Sequence, residues 1–379
     1  MRCKERFISL LLCVTCIIIS LPVNGQEKVK TELGGALRFN YNYSDWKASH
    51  RKQGGQWGFD VFRINVKSSY KKLLLNAEYR FYSKSSGGGM LKHGWAGYKF
   101  SDNTQIQVGL TGLPFGLLPY TSNSYFFNIN YYLGLEDDAD MGIKYLYSNK
   151  KWDLALAFFK NADVTEFGST SESTTSRYGY DVGGRNKETN QVNGRAVYHF
   201  GNSVQQQVGL SAMFGGLYNI DTEEMGNHYA FAAHYEATYK RWNLKAQYSN
   251  FRKKTHNKEG QSNDVVEMAA YGALYNVAAR GETYLASLSY TLPIKNALLQ
   301  SIRFYNDFSM LDKHKKEFKD SYQNVTGCML SMGPVYTYVD YALGKNHAWL
   351  GSEWTNAFAA GSPSGKWNAR FNINMGYYF

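Results

Sequence analysis

A strict two-residue alternation of apolar and polar side chains opens and closes this chain, and it leaves few folds available. Leu33, Gly35, Leu37, Phe39, Tyr41 and Tyr43 alternate with Glu32, Gly34, Ala36, Arg38, Asn40 and Asn42. Successive side chains of an extended strand point to opposite faces, so this stretch has one greasy side and one wet side. Residues 57–68 repeat the pattern, with Phe62, Ile64 and Val66 opposed to Arg63, Asn65 and Lys67; a change of phase at Phe59 and Val61 predicts a bulge. Residues 73–81 follow, with Leu73, Leu75, Ala77, Tyr79 and Phe81 against Asn76, Glu78 and Arg80. The last twelve or so residues set Trp367, Ala369, Phe371, Ile373, Met375, Tyr377 and Phe379 against Asn368, Arg370, Asn372, Asn374, Gly376 and Tyr378.

The connections between such runs alternate in length. Short links fall at 69–72, 101–103, 148–151, 201–203, 240–241, 293–297 and 333–334; long ones at 44–56, 83–91, 112–139, 161–189, 215–226, 252–281, 310–323 and 345–365. Seven short and eight long links join sixteen strands, with both chain ends on the short-link side. An even strand number, tight turns at one rim and long loops at the other describe an outer-membrane barrel. Trp152 and Trp242 each start a strand just after a short turn, where an interfacial aromatic girdle belongs. A soluble β-sandwich would hide the apolar face in a core without requiring this regular alternation of link lengths, and no fixed repeat period suggests a solenoid.

Residues 1–25 read as an export signal: Arg2, Lys4 and Arg6, an apolar core from 7 to 21, then small residues at Val23 and Gly25. The mature chain, 26–379, keeps Cys328 alone of four cysteines, so no internal disulfide stabilises it. After the signal no apolar run reaches the roughly 18 residues of a membrane helix. The formal charge of +11 includes +2 from the signal, leaving +9 on the mature chain. Nucleic acid is an implausible partner for an exported chain, so that charge is expected to act on anionic solutes or lipid headgroups.

Residues 112–139 interrupt the wall. The segment is too long and too apolar for an ordinary surface link, and its aromatic residues need something to pack against. We expect it to fold into the lumen as a constriction loop bearing Pro114, Phe115, Tyr120, Phe126, Phe127, Tyr131, Tyr132, Glu136, Asp137, Asp138 and Asp140. Its rings either pack the loop against the wall or form a greasy track for sugars. Its acidic end is expected to face a basic wall and set a field across the pore. A second reading of the alternating carboxylates 136, 138 and 140 is a calcium loop, although the glycine and the far bidentate carboxylate of such a loop are missing.

With apolar residues outward, Arg38, Arg63, Arg80 and Arg370 point inward from strands that become neighbours when the barrel closes. A guanidinium stays charged and offers a planar fork of donors to phosphate or carboxylate, and a row of them passes an anion from site to site. The same arginines could instead brace the wall against Glu32, Glu78 or Asp60. Lys313, Lys315, Lys316 and Lys319 form either a solvated charge run or a patch for anions and lipopolysaccharide phosphates. No histidine, serine or cysteine spacing marks a catalytic centre, so no enzyme, cofactor or metal is expected.

Four stretches, VGLTGLPFGLLPY at 108–120, NYYLGLEDDADMGIKY at 130–145, DSYQNVTGCM at 320–329 and VYTYVDYALGKNHAWLG at 335–351, resemble the porin O/P family, named for phosphate-selective porins. The resemblance spans nearly the whole mature chain. It implies a 16-stranded, usually trimeric barrel whose third external loop enters the pore, and a terminal aromatic like Phe379 resembles the signal read by outer-membrane assembly machinery. Phosphate-selective members carry a dense arginine ladder, whereas this chain has a thin inward row. The expectation is therefore all-β: a 16-stranded antiparallel transmembrane β-barrel with the third external loop folded into the lumen, in the bacterial outer membrane. It would pass small hydrophilic solutes with a mild anion preference. A sugar-preferring channel and a non-conducting adhesin or anchor are the alternatives.

Overall fold

The structure, a computed structural model, describes residues 28–163 and 175–379; the expected signal at 1–25 lies outside the described residues. Among the described residues nineteen strands form. They are β1 (Lys30–Ser44), β2 (Gln56–Tyr70), β3 (Leu73–Phe81), β4 (Gly89–Ser101), β5 (Thr104–Gly112), β6 (Ala139–Ser148), β7 (Trp152–Asn161), β8 (Asp181–Val182), β9 (Asn186–Phe200) and β10 (Gln205–Asn219). The rest are β11 (Met225–Tyr239), β12 (Trp242–Lys254), β13 (Val265–Ala270), β14 (Ala273–Ala278), β15 (Arg280–Pro293), β16 (Ser301–Lys313), β17 (Ser321–Met332), β18 (Val335–Lys345) and β19 (Trp367–Tyr378). Sixteen of them close one antiparallel barrel in chain order, and β8, β13 and β14 make a separate small sheet.

Closure is made by β1 against β19, from Ala36 opposite Tyr378 to Ser44 opposite Arg370. The chain terminus takes part: Gly35 N donates to Phe379 O at 2.8 Å and Phe379 N returns a bond to Gly35 O at 3.1 Å. A closed sheet satisfies every ladder N–H and C=O within the wall, the condition for crossing lipid with strands. The outer face carries the apolar half of the alternation, with Leu33 74%, Leu156 60% and Leu210 65% exposed. So much apolar surface in water would drive aggregation; in a bilayer it is ordinary wall.

Four of the seven turns at the tight rim are two-residue hairpins, at 71–72, 102–103, 240–241 and 333–334. Lys71 and Lys240 both take a left-handed φ of 54°, the backbone such turns demand. The expected phase change in β2 is a bulge: Arg38 stands opposite Val61 and Phe39 opposite Phe59, leaving Asp60 as the extra residue on the lumenal side of the ladder.

The long-loop rim is more built up than the sequence suggested. The β13–β14 hairpin and β8 lie in the long connections after β12 and β7, and Val277 bridges Phe358 in the connection before β19. Strands of two and six residues are too short to announce themselves by period. Together with residues 113–138 they bury one apolar cluster, including Ile129, Leu133, Tyr180, Val182, Met268, Val277 and Phe358. The barrel interior thus holds a packed core of loops rather than only water.

Candidate functional site: a basic, tyrosine-lined lumenal cavity

The strands β19, β1, β2 and β3 are consecutive around the wall, and the alternation turns Arg38, Arg63, Arg80 and Arg370 onto one cavity of ≈ 550 Å³. Each guanidinium is held from two sides. Arg38 Nε meets Asp60 at 2.9 Å, the carboxylate the bulge supplies, and its guanidinium carbon lies 5.8 Å from the Tyr125 ring centre. Arg80 Nε meets Glu78 Oε1 at 2.5 Å and lies 4.2 Å over Tyr178; Arg63 shares Glu78 at 3.4 Å and faces Tyr378 at 5.2 Å. Arg370 donates to Ser44 Oγ at 3.1 Å and sits 5.1 Å over Trp46. Four guanidinium groups against the two carboxylates Asp60 and Glu78 leave a net +2 on this wall. Wall bracing and a free positive field therefore coexist in the same side chains.

The opposite side is made by residues 113–138. The groups they bond to are inward side chains of distant strands, so the segment lies within the wall. Gly116 N donates to Ser211 Oγ at 3.0 Å on β10 and Leu117 N to Gln247 Oε1 at 2.8 Å on β12. Asn123 N and Ser124 N both donate to Asp307 Oδ2 on β16, at 2.8 and 2.7 Å, and Tyr125 N donates to Asp340 Oδ2 on β18 at 3.1 Å. Tyr125 Oη closes the circuit by donating to Asp60 at 3.1 Å. Backbone groups that a buried loop would otherwise leave unpaired are satisfied by the wall.

The expected loop residues separate into distinct environments. Tyr120, Phe126, Phe127, Tyr131 and Tyr132 line the cavity. They pack on other loops as much as on the wall: Phe127 stacks on Tyr131 at 4.2 Å, and Tyr132 lies against Trp349 and Phe358. Phe115 is buried in the interior cluster, and Pro114 faces a second hollow of ≈ 410 Å³ with Lys144 and Arg195.

The acidic end departs from expectation. None of Glu136, Asp137, Asp138 and Asp140 lines the cavity; Asp137 stands behind it, accepting from Tyr178 Oη at 2.5 Å, the ring that Arg80 covers. Glu136 accepts both oxygens' bonds from Asn128 Nδ2, at 2.7 and 2.8 Å, and one from Thr121 N at 3.1 Å. Burial pushes its carboxyl up to about 7. Asp137 pairs with Lys92 at 2.9 Å, while Asp138 and Asp140 turn toward Asp181. The turn of chain between 135 and 139, with Asp137 at a φ of 52°, breaks the simple alternation that would have put 136, 138 and 140 together. The lysine run also differs: Lys313 Nζ donates to Ala357 O at 2.8 Å, Lys315 pairs with Asp264 at 2.5 Å, and Lys319 Nζ donates to Ser362 O at 3.3 Å.

Sequence reasoning missed Tyr178, Tyr180, Tyr271 and Trp349, which complete the cavity from other long loops. Tyr271 is the clearest omission. It occupies the two-residue turn of the β13–β14 hairpin at a φ of 52°, and its hydroxyl lies 2.5 Å from that of Tyr131. The following Gly272, at a φ of 76°, is the one available signal, a turn glycine between two apolar runs.

No family model matches the chain, and no curated protein does. Solved structures match over nearly its full length. OmpT of Vibrio cholerae, an outer membrane protein in trimer form, has a TM-score of 0.60 at 15% identity, covering 93% of this chain and 100% of that one. An anion-selective porin from Comamonas acidovorans gives 0.58 at 11%, covering 93% and 100%. The outer membrane channel DcaP of Acinetobacter baumannii gives 0.57 at 11%, covering 93% and 99%. At these identities the likeness is one of fold; it extends across porins in general and does not single out the O/P group. The chain has the fold of an outer-membrane porin, and its apolar outer wall suits a bilayer.

Proposed function

We propose that the protein is an outer-membrane porin that admits small hydrophilic solutes by diffusion, with a mild preference for anions such as phosphate or carboxylates. The observation that carries this reading is the row of Arg38, Arg63, Arg80 and Arg370 along one lumenal cavity, with two carboxylates against four guanidinium groups. Each arginine keeps donors beyond those its wall partner uses, so a solute anion can exchange contacts along the row without being trapped. Residues 113–138 narrow the lumen in this reading, and no chemistry is performed on the solute. A homotrimer embedded in outer-membrane lipid and lipopolysaccharide belongs to the same reading, in line with the trimer form of the Vibrio protein.

Reversal potentials across planar bilayers in a potassium chloride gradient test it. Anion preference is expected, and Arg38→Ala combined with Arg63→Ala should abolish most of it, because the remaining Arg80 and Arg370 only balance Asp60 and Glu78. Cation selectivity in the parent would refute the anion reading; an unchanged ratio in the double variant would take both arginines out of the conduction path. A second reading is favoured by the tyrosine rings around the cavity, which suit the faces of a pyranose. Faster liposome swelling in a neutral sugar than in the matching sugar acid would support it over the first.

A further inference from the structure

Behind the third loop, away from the cavity, five carboxylates converge from four segments. Asp138 ends the loop, Asp140 is the second residue of β6, Asp163 follows β7, Asp181 starts β8 and Glu188 lies on β9. One oxygen each of Asp138, Asp140 and Asp181 falls within 4.8 Å of the others, and these residues are 6%, 1% and 0% exposed. Arg177 reaches Asp163 at 3.2 Å and Asp181 at 2.6 Å, and Lys253 reaches Glu188 at 3.6 Å. Five acids against these two bases leave a formal charge of −3 in a buried volume, which a protein interior does not hold uncompensated.

The polar atoms left over point the same way. Asp140 Oδ1 and Asp181 Oδ1 are buried without a hydrogen-bond donor, whereas Asp163 Oδ1 faces Arg177 Nε at 3.2 Å. Gln191, 2% exposed, presents its amide to the cluster: Nε2 donates to Asp140 Oδ2 at 3.4 Å while Oε1, a neutral acceptor, is buried and unpartnered. Acceptors without donors, in an acidic site, are what a cation satisfies.

We propose that Asp138, Asp140 and Asp181 hold a divalent cation, calcium by preference, which fastens the third and fourth long loops to the barrel wall. An upper spacing of 4.8 Å accommodates two calcium–oxygen bonds of about 2.4 Å, and calcium sheds its water into such a buried oxygen site more readily than magnesium. Gln191, and Asp163 through Arg177, border the same cluster. The location explains the architecture: one ion would join the end of the constriction loop to the segment bearing Tyr178 and Tyr180, two of the rings that line the cavity.

The test uses full-length mature protein refolded in detergent without lipopolysaccharide, stripped with chelator, and titrated with calcium chloride by calorimetry. Terbium emission, sensitised by Tyr178 and Tyr180 on either side of Gly179, whose backbone abuts Asp138, gives an independent readout. One calcium per chain is expected, displacing terbium, with calorimetric affinity at least about tenfold weaker in Asp181→Asn and unaltered in Asp137→Asn, whose carboxylate pairs with Lys92 and accepts from Tyr178 Oη rather than facing the cluster. If Asp181→Asn fails to give a folded barrel, the parent's thermal midpoint decides: it should rise with calcium and fall with chelator. No calcium binding by the folded parent, equal binding by Asp181→Asn, or a midpoint indifferent to calcium would overturn the proposal.

Discussion

At the scale of single residues, the site's ionisable groups owe their behaviour to burial as much as to partners, and Glu136 shows it most simply. Three accepted hydrogen bonds favour its charged form, yet burial prevails, and Asp137 nearby adds to the rise. The sign follows: with a carboxyl at about 7 in the folded state and an ordinary 4.5 unfolded, the native protein binds more protons between those values. Its contribution to stability is complete below about 4.5 and fades as pH rises through about 7. The thermal midpoint in detergent should therefore fall between pH 5 and pH 8, and Glu136→Gln, which keeps an acceptor for Thr121 and never ionises, should flatten part of that fall. Equal slopes in the two proteins would show that Glu136 is not the group responsible. None of this was readable from the string EDDAD, because neighbours in sequence at 136, 137 and 138 enter three different surroundings.

At the scale of elements, the strands were legible and the loops were not, for one physical reason. A wall between lipid and water imposes a two-residue period on its own sequence, so β1, β3 and β19 can be read from their side chains, and even the β2 bulge shows as a slipped phase. A loop folded into the lumen answers to contacts far away in sequence, such as Ser124 N with Asp307 and Tyr125 N with Asp340, and no local period records them. The arginine row was found because it sits on strands; Tyr271 and Tyr178 were missed because they sit on loops. Asp307 makes the consequence testable. Its Oδ2 accepts two loop N–H groups, and its Oδ1 accepts from Ser287 at 2.5 Å. Asp307→Ala should loosen the loop by about 1–3 kcal/mol for each N–H left without a partner. Faster amide exchange across residues 121–127 and added open-channel noise are the expected signs. Exchange rates identical to the parent's would mean that the loop is held by its aromatic packing alone.

At the scale of the whole molecule, the decisive property is which solvent the outer wall faces, and one substitution separates the alternatives. Leu210 is 65% exposed on β10, paired with Ala196 and Ala233 on its neighbours. Counting from the tight-turn end, about ten tilted residues cross an apolar band of roughly 25 Å, which puts position 210 near its middle. An arginine there would cost about 2–4 kcal/mol if the wall lies in lipid. On a water-facing wall the same change would be worth little, since surface substitutions usually fall within about 0.5 kcal/mol. Reversible denaturant titration of the barrel in lipid vesicles, comparing Leu210→Arg with Gln206→Arg near the rim, measures the difference. A large loss for Leu210→Arg and a small one for Gln206→Arg is the signature of a band with a depth profile. Two equally small losses would mean that water, not lipid, covers the apolar face, and the alternation that organises the chain would then need another explanation.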